Sequence, residues 1–96
     1  MTKITQVLQT PTFNKVTKRL QKNQKADLDK AIKDLMKDPL LGEQKKGDLI
    51  FLRVYKFQMV KKLTLLGYSY KDGAVTLELL YVGGHENFYR DIKAIY

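Results

Sequence analysis

The sequence predicts a small α+β fold of order β-α-α-β-β-β. Its sheet is twisted and mostly antiparallel, with a helical hairpin on one face and a short helix after the last strand. Three observations predict it. Apolar residues recur at spacings of three and four between residues 11 and 37, alternate from 49 to 57, and run almost unbroken from Val75 to Val82. The 96 residues suit one domain, spanning 1–96, with a modest core.

Residues Lys3–Gln9 read as the first strand, with β-branched Ile4, Thr5 and Val7. Thr10-Pro11 starts a helix, threonine capping it and proline taking the first helical position, where its missing N–H costs nothing. Phe13, Val16 and Leu20 form its apolar stripe, and Asn23 is the expected break. A second helix is expected from about Gln24 to Lys37, with Ala26, Leu28, Ala31, Ile32, Leu35 and Met36 on one side. Asp29 with Lys33 and Lys30 with Asp34 pair at i, i+4 on the other. Pro39 ends it, because proline disfavours helical geometry in the residue before it.

A polar loop, Leu40–Asp48, leads into the strands. Leu49–Phe57 alternates, placing Ile50, Leu52 and Val54 toward the helices and Phe51, Arg53 and Tyr55 on the other, open face. Phe51 and Tyr55 are there either to stack on a base beside Arg53 or to be buried under the carboxy-terminal segment. Gln58-Met59 reads as a turn, Val60–Tyr70 as the next strand, and Lys71-Asp72-Gly73 as a hairpin turn. Ala74–Val82 is the most apolar strand and is expected to lie centrally, covered on both faces. Gly83 and Gly84 then break it, and Phe88, Ile92 and Ile95 outline a final helix.

The formal net charge of +8 draws polyanions. From Gln44 to Lys71 the cations are Lys45, Lys46, Arg53, Lys56, Lys61, Lys62 and Lys71, against Asp48 alone. That concentration on the middle strands reads as a basic patch, or, for Lys45, Lys46 and Lys71, as solvated lysines; the mixed charges of the helices read as a solvated face. Cysteine is absent and histidine single, so no disulfide, metal site or cofactor is expected. No apolar run approaches the ~20 residues that span a bilayer. The start, Met-Thr-Lys-Ile-Thr-Gln, lacks the apolar stretch of a secretion signal, so a cytoplasmic protein without membrane partners is expected.

Chemistry concentrates at the end, in Tyr81-Val-Gly-Gly-His-Glu-Asn-Phe-Tyr-Arg-Asp-Ile-Lys93. In a helical turn His85 and Tyr89 would share a face, with Glu86 and Arg90 paired beside them. Hairpin geometry brings Lys61 and Lys62 back beside Gly83-Gly84-His85, with Lys56-Phe57 close by. Imidazole, phenol and cations at one strand end are parts that acid–base chemistry on a phosphodiester uses.

The string Gly84-His-Glu-Asn-Phe-Tyr-Arg-Asp91 resembles the RelE/ParE superfamily of bacterial toxin–antitoxin toxins, its ParE-like branch in particular. Gly42-Glu43, Lys46-Gly47-Asp48-Leu49 and Leu52-Arg53-Val54-Tyr55-Lys56-Phe57 extend the resemblance over nearly the whole chain. It implies a RelE-like fold and a growth-inhibiting toxin held inactive by a cognate acidic antitoxin. It also implies an mRNA interferase, a metal-independent endoribonuclease cutting mRNA in the ribosomal A site by 2′-OH attack on the phosphodiester. The candidates are His85, Tyr89, Arg53 and Lys61 for catalysis, and Lys56, Lys62, Arg90 and Tyr55 for substrate binding; of these Arg53, Lys56, His85 and Tyr89 match the family's pattern. The superfamily also contains inhibitors of DNA gyrase, which makes gyrase the alternative target, and a nuclease acting directly on DNA is a third reading. The Glu86-Asn87-Phe88 insert between His85 and Tyr89 departs from the pattern and leaves the general base unassigned.

Overall fold

The computed structural model describes residues 4–71 and 75–96. Strand β1 (Gln6–Gln9) leads into helices α1 (Pro11–Thr17) and α2 (Lys22–Lys37). Strands β2 (Glu43–Gln44), β3 (Arg53–Met59), β4 (Lys62–Ser69) and β5 (Thr76–Gly84) follow, and helix α3 (Phe88–Ile95) closes the order. The five strands form one sheet in the order β1-β5-β4-β3-β2, with β1 parallel to β5 and the other pairs antiparallel. This is the expected α+β architecture, with β5 central. The turn expected at Asp72-Gly73 lies outside the described residues. Among the described residues no helix is long and apolar enough to cross a membrane.

Two apolar clusters sandwich the sheet. Phe13, Leu28, Ala31 and Leu35 pack with Leu66, Tyr68, Leu77, Leu79 and Val82 on the α1–α2 face. Leu52, Val54, Leu65 and Leu80 pack with Phe88 and Ile92 beneath α3 on the other. Each fully buried large apolar side chain contributes about 1.5–3 kcal/mol, so neither face is dispensable. The approach of α3 depends on Gly67. A Cβ there would lie 2.8 Å from Phe88 Cζ and 3.0 Å from Leu52 Cδ1.

Local signals explain the boundaries. Thr10 Oγ1 accepts from the Phe13 N–H at 3.1 Å, and Pro11 follows as the first helical residue. The helical break falls earlier than expected, at residues 18–21 instead of Asn23, because the Gln24 side chain reaches back to accept from the Gln21 N–H at 2.7 Å. Within α3, Phe88 and Ile92 are buried while Ile95 is largely exposed.

Four strand expectations are corrected. Residues 47–49 form a 3₁₀ turn, so β3 begins at Arg53 and Ile50 is 64% exposed. The two faces of β3 are the reverse of the expected ones. Leu52 and Val54 pack under α3, while Tyr55 packs against the α1–α2 cluster. Gln58 and Met59 stay in the strand, and the turn is Val60-Lys61, with φ of 50° and 66°. Finally, Gly83 and Gly84 do not break β5; they continue it, opposite Leu65 and Thr64.

Candidate functional site

The α3 face of the sheet is open where α3 does not cover it. Alternation decides who stands there. Val54, Lys56 and Gln58 of β3 point to this face, since Val54 packs under α3 and side chains two apart share a side. Lys56 lies opposite Leu65, which lies opposite Gly83, so one row runs from the exposed Lys56 to the end of β5. Glu43 is paired with Val54 and therefore stands on the same face. Lys45, two residues on, is anchored by its N–H to the Leu52 carbonyl at 2.9 Å.

Side chains then converge. Lys45 Nζ lies 2.6 Å from Glu43 Oε1 and 5.4 Å from the centroid of the Tyr89 ring, over which it sits. Tyr89 is half-buried and meets Phe88 edge-on at 5.2 Å. The Lys45 hydrogen bond, then its charge, hold the Glu43 carboxyl below its ordinary range, with Lys56 and Lys46 adding to the field. Glu43 in turn raises the Lys45 ammonium, with help from the Tyr89 hydroxyl. The result is a shallow depression along Leu41, Glu43, Lys45, Val54, Tyr55 and Lys56, with the Tyr89 ring beside Lys45. A tyrosine ring beside a cation can hold a nucleobase and its phosphate.

The expected site residues divide. Lys56 and Tyr89 lie on this face. His85 is exposed in the turn between β5 and α3, just past Gly84, and α3 begins only at Phe88, so His85 and Tyr89 are not a helical i, i+4 pair. Arg90 is exposed on α3 and pairs with Asp91 at 3.3 Å, not with Glu86. Asp91 also accepts from the Tyr81 hydroxyl at 3.0 Å, which steadies the helix on β5.

The others lie elsewhere. Arg53 spends its guanidinium on the chain itself: Nε donates to the Gly42 carbonyl at 3.1 Å, Nη2 to the Leu40 carbonyl at 3.3 Å, and Nη1 to Gln44 Oε1 at 3.5 Å. Tyr55 is on the α1–α2 face, stacked on Phe57 at 6.4 Å with its hydroxyl 3.5 Å from Asp34 Oδ2. Phe51 is not its strand neighbour and stands 6.4 Å from Tyr96 instead. Lys61 forms the hairpin tip, and Lys62 pairs with Met59, whose side chain packs on the α1–α2 cluster. Hairpin geometry does bring the start of β4 beside the end of β5, with Thr64 opposite Gly84.

Glu43 and Lys45 are the members that sequence reading missed. Their signal, an acid and a base two apart, is legible only once residues 43–45 are known to run alongside β3.

A family model described as the ParE-like toxin of type II bacterial toxin–antitoxin systems matches residues 7–93. The chain belongs to that family. Solved structures with this toxin's fold include a mutant of the E. coli toxin RelE in the free state, 17% identical, covering 100% of both chains with a TM-score of 0.69. The intact E. coli RelBE toxin–antitoxin complex is 18% identical over 82% of this chain and 94% of that one, with a TM-score of 0.64. A RelE mutant bound to an antitoxin RelB peptide is 17% identical over 95% of each chain, also at 0.64. At these identities the likeness is one of fold. No curated protein matches the sequence.

Proposed function

We propose that this toxin inhibits growth as an endoribonuclease that cuts mRNA, with the α3 face as its substrate cleft. The observation that carries the reading is the convergence of Lys45, Lys56 and Tyr89 on one open face of the sheet, at whose end His85 stands exposed. In this reading Tyr89 supports the base beside the cut, and Lys56 and Lys45 hold the scissile phosphate. A base takes the 2′-hydroxyl proton, the 2′-oxygen bonds to phosphorus, and the P–O5′ bond breaks as the 5′-oxygen gains a proton. The products are a 2′,3′-cyclic phosphate and a 5′-hydroxyl. His85 is the proton donor to the leaving oxygen, histidine being the side chain that ordinarily titrates near neutrality. The developing negative charge falls to the lysines. Arg90, exposed on α3, adds a cation for the flanking backbone. Ribosome-bound mRNA in the cytoplasm is the substrate.

The regulating partner is a cognate antitoxin with an acidic segment that folds as it binds, matched to the +8 charge. One groove suits it, along α1 and α2, floored by Phe13, Leu28 and Ile32 and bordered by Lys18 and Lys25, with Asp29 the one acid in its lining.

A second reading, inhibition of DNA gyrase without bond chemistry, is favoured by the ParE-like description of the matching family. One experiment separates them: induced expression of wild type and His85→Ala in bacteria, with mRNA ends mapped and plasmid topology followed. Growth arrest with new RNA cuts, lost in the variant, is expected. Arrest with intact RNA and relaxed or broken DNA would move the target to gyrase or to DNA itself.

A further inference from the structure

We infer that Tyr68 and Arg53 are positioning residues, which clip the 39–42 loop to one face of the sheet edge and thereby set how Glu43 and Lys45 meet Tyr89 on the other. What the cleft does rests on the ribonuclease reading above; the clip itself rests on geometry.

Tyr68 is fully buried in the α1–α2 cluster. Its hydroxyl donates to the Pro39 carbonyl at 2.6 Å and accepts from the Gly42 N–H at 3.0 Å. A buried phenol left unsatisfied would cost about 1–3 kcal/mol, so the loop and the phenol hold each other. Arg53 lies directly opposite Tyr68 in the β3–β4 register and takes the carbonyls of Leu40 and Gly42. Two side chains thus engage four main-chain groups of a segment without regular structure. Gly42 permits the approach, because a Cβ there would sit 2.6 Å from the Tyr68 hydroxyl oxygen.

The next residues carry this anchoring across the sheet edge. Gln44 pairs with Arg53 and meets its guanidinium on the α1–α2 side, so Glu43 and Lys45 point to the α3 side. A two-residue strand has little hold of its own on the sheet. The clip supplies the rest. Nε, Nη1 and Nη2 of Arg53 each donate to a protein acceptor, so three of the five guanidinium N–H groups serve the clip.

The test compares wild type with Tyr68→Phe, Arg53→Lys, Lys45→Ala and each clip variant combined with Lys45→Ala. Amide exchange at Gly42 and Lys45, the NMR shift of the Lys45 side chain over the Tyr89 ring, and RNA cleavage are the readouts. Each clip variant is expected to speed exchange at Gly42 and Lys45 about tenfold or more, roughly the worth of one hydrogen bond. It should also abolish the ring-induced shift of Lys45 while far-UV circular dichroism stays native. Cleavage should fall with it and fall no further when Lys45→Ala is added. Unchanged exchange at Gly42 with lost cleavage would overturn the inference and make Arg53 a direct phosphate ligand. Losses that multiply with Lys45→Ala would overturn it too. Should Tyr68→Phe not fold, Arg53→Lys carries the test alone. If the wild type cuts no RNA, the ribonuclease reading fails, and exchange and the Lys45 shift still decide the clip.

Discussion

Lys45 Nζ stands over the Tyr89 ring at 5.4 Å from its centroid while holding Glu43 Oε1 at 2.6 Å. The edge of the sheet and the last helix are joined by this one ammonium. A cation over an exposed ring contributes about 0.5–1 kcal/mol, enough to set a side-chain conformation.

The carboxyl of Glu43 should therefore titrate below its ordinary range, and Lys45→Met should bring it back up. Carbon-13 NMR titration of the carboxyl measures both. Because the folded-state value is lowered, the stabilisation is present above the ordinary carboxylate pKa and lost as pH falls through the lowered one. Full exposure and salt screening keep it small, so the titration and not the melting point is the measurement of choice.

Lys56→Ala should slow RNA cleavage about 10²–10³-fold, the usual cost of removing one group that faces transition-state charge. Single-turnover rates on a short RNA measure it. A loss confined to KM, with kcat intact, would make Lys56 a binding group only.

Gly67→Ala should destabilise the fold by about 1–3 kcal/mol, since the methyl would overlap Phe88, Leu52 and Ile92 side chains that have nowhere to retreat. Urea unfolding gives the loss. Limited proteolysis should show α3 lifting first, because the methyl presses on Phe88 and Ile92, its fully buried residues.

The β3–β4 turn places a β-branched valine and a lysine at positive φ, where L-residues pay about 1–2 kcal/mol each. Asp27 partly offsets this by accepting from the Val60 N–H at 2.8 Å. Replacing the pair by Asn-Gly should stabilise the protein by about 1–2 kcal/mol, read as a raised urea midpoint with unchanged slope.

Much of this was legible beforehand. Thr10-Pro11, the stripe of the second helix and the apolar run into Val82 marked their elements because each carries a local physical signal. The faces of β3 were not legible. Alternation shows that Leu52 and Val54 share a side, but not which helix covers it, and the choice went to the helical hairpin when α3 was the partner. The turn at Val60-Lys61 was hidden because neither residue is a turn former. Lys56 and Tyr89, singled out from charge and resemblance, do lie on the α3 face. Glu43 and Lys45 were passed over because a two-residue strand leaves no periodic trace, and nothing local to Arg53 reveals the three protein acceptors that meet it.

The strand order has a consequence in time. β5 sits between β1 and β4, yet it is made after both. While the chain is emerging, β1 has no neighbour to pair with, and Leu66 and Phe13 have no Leu77 or Leu79 to close against. Contacts this distant in sequence form late. A partly synthesised chain therefore carries no finished α3 face, which closes only once β5 and α3 have been made.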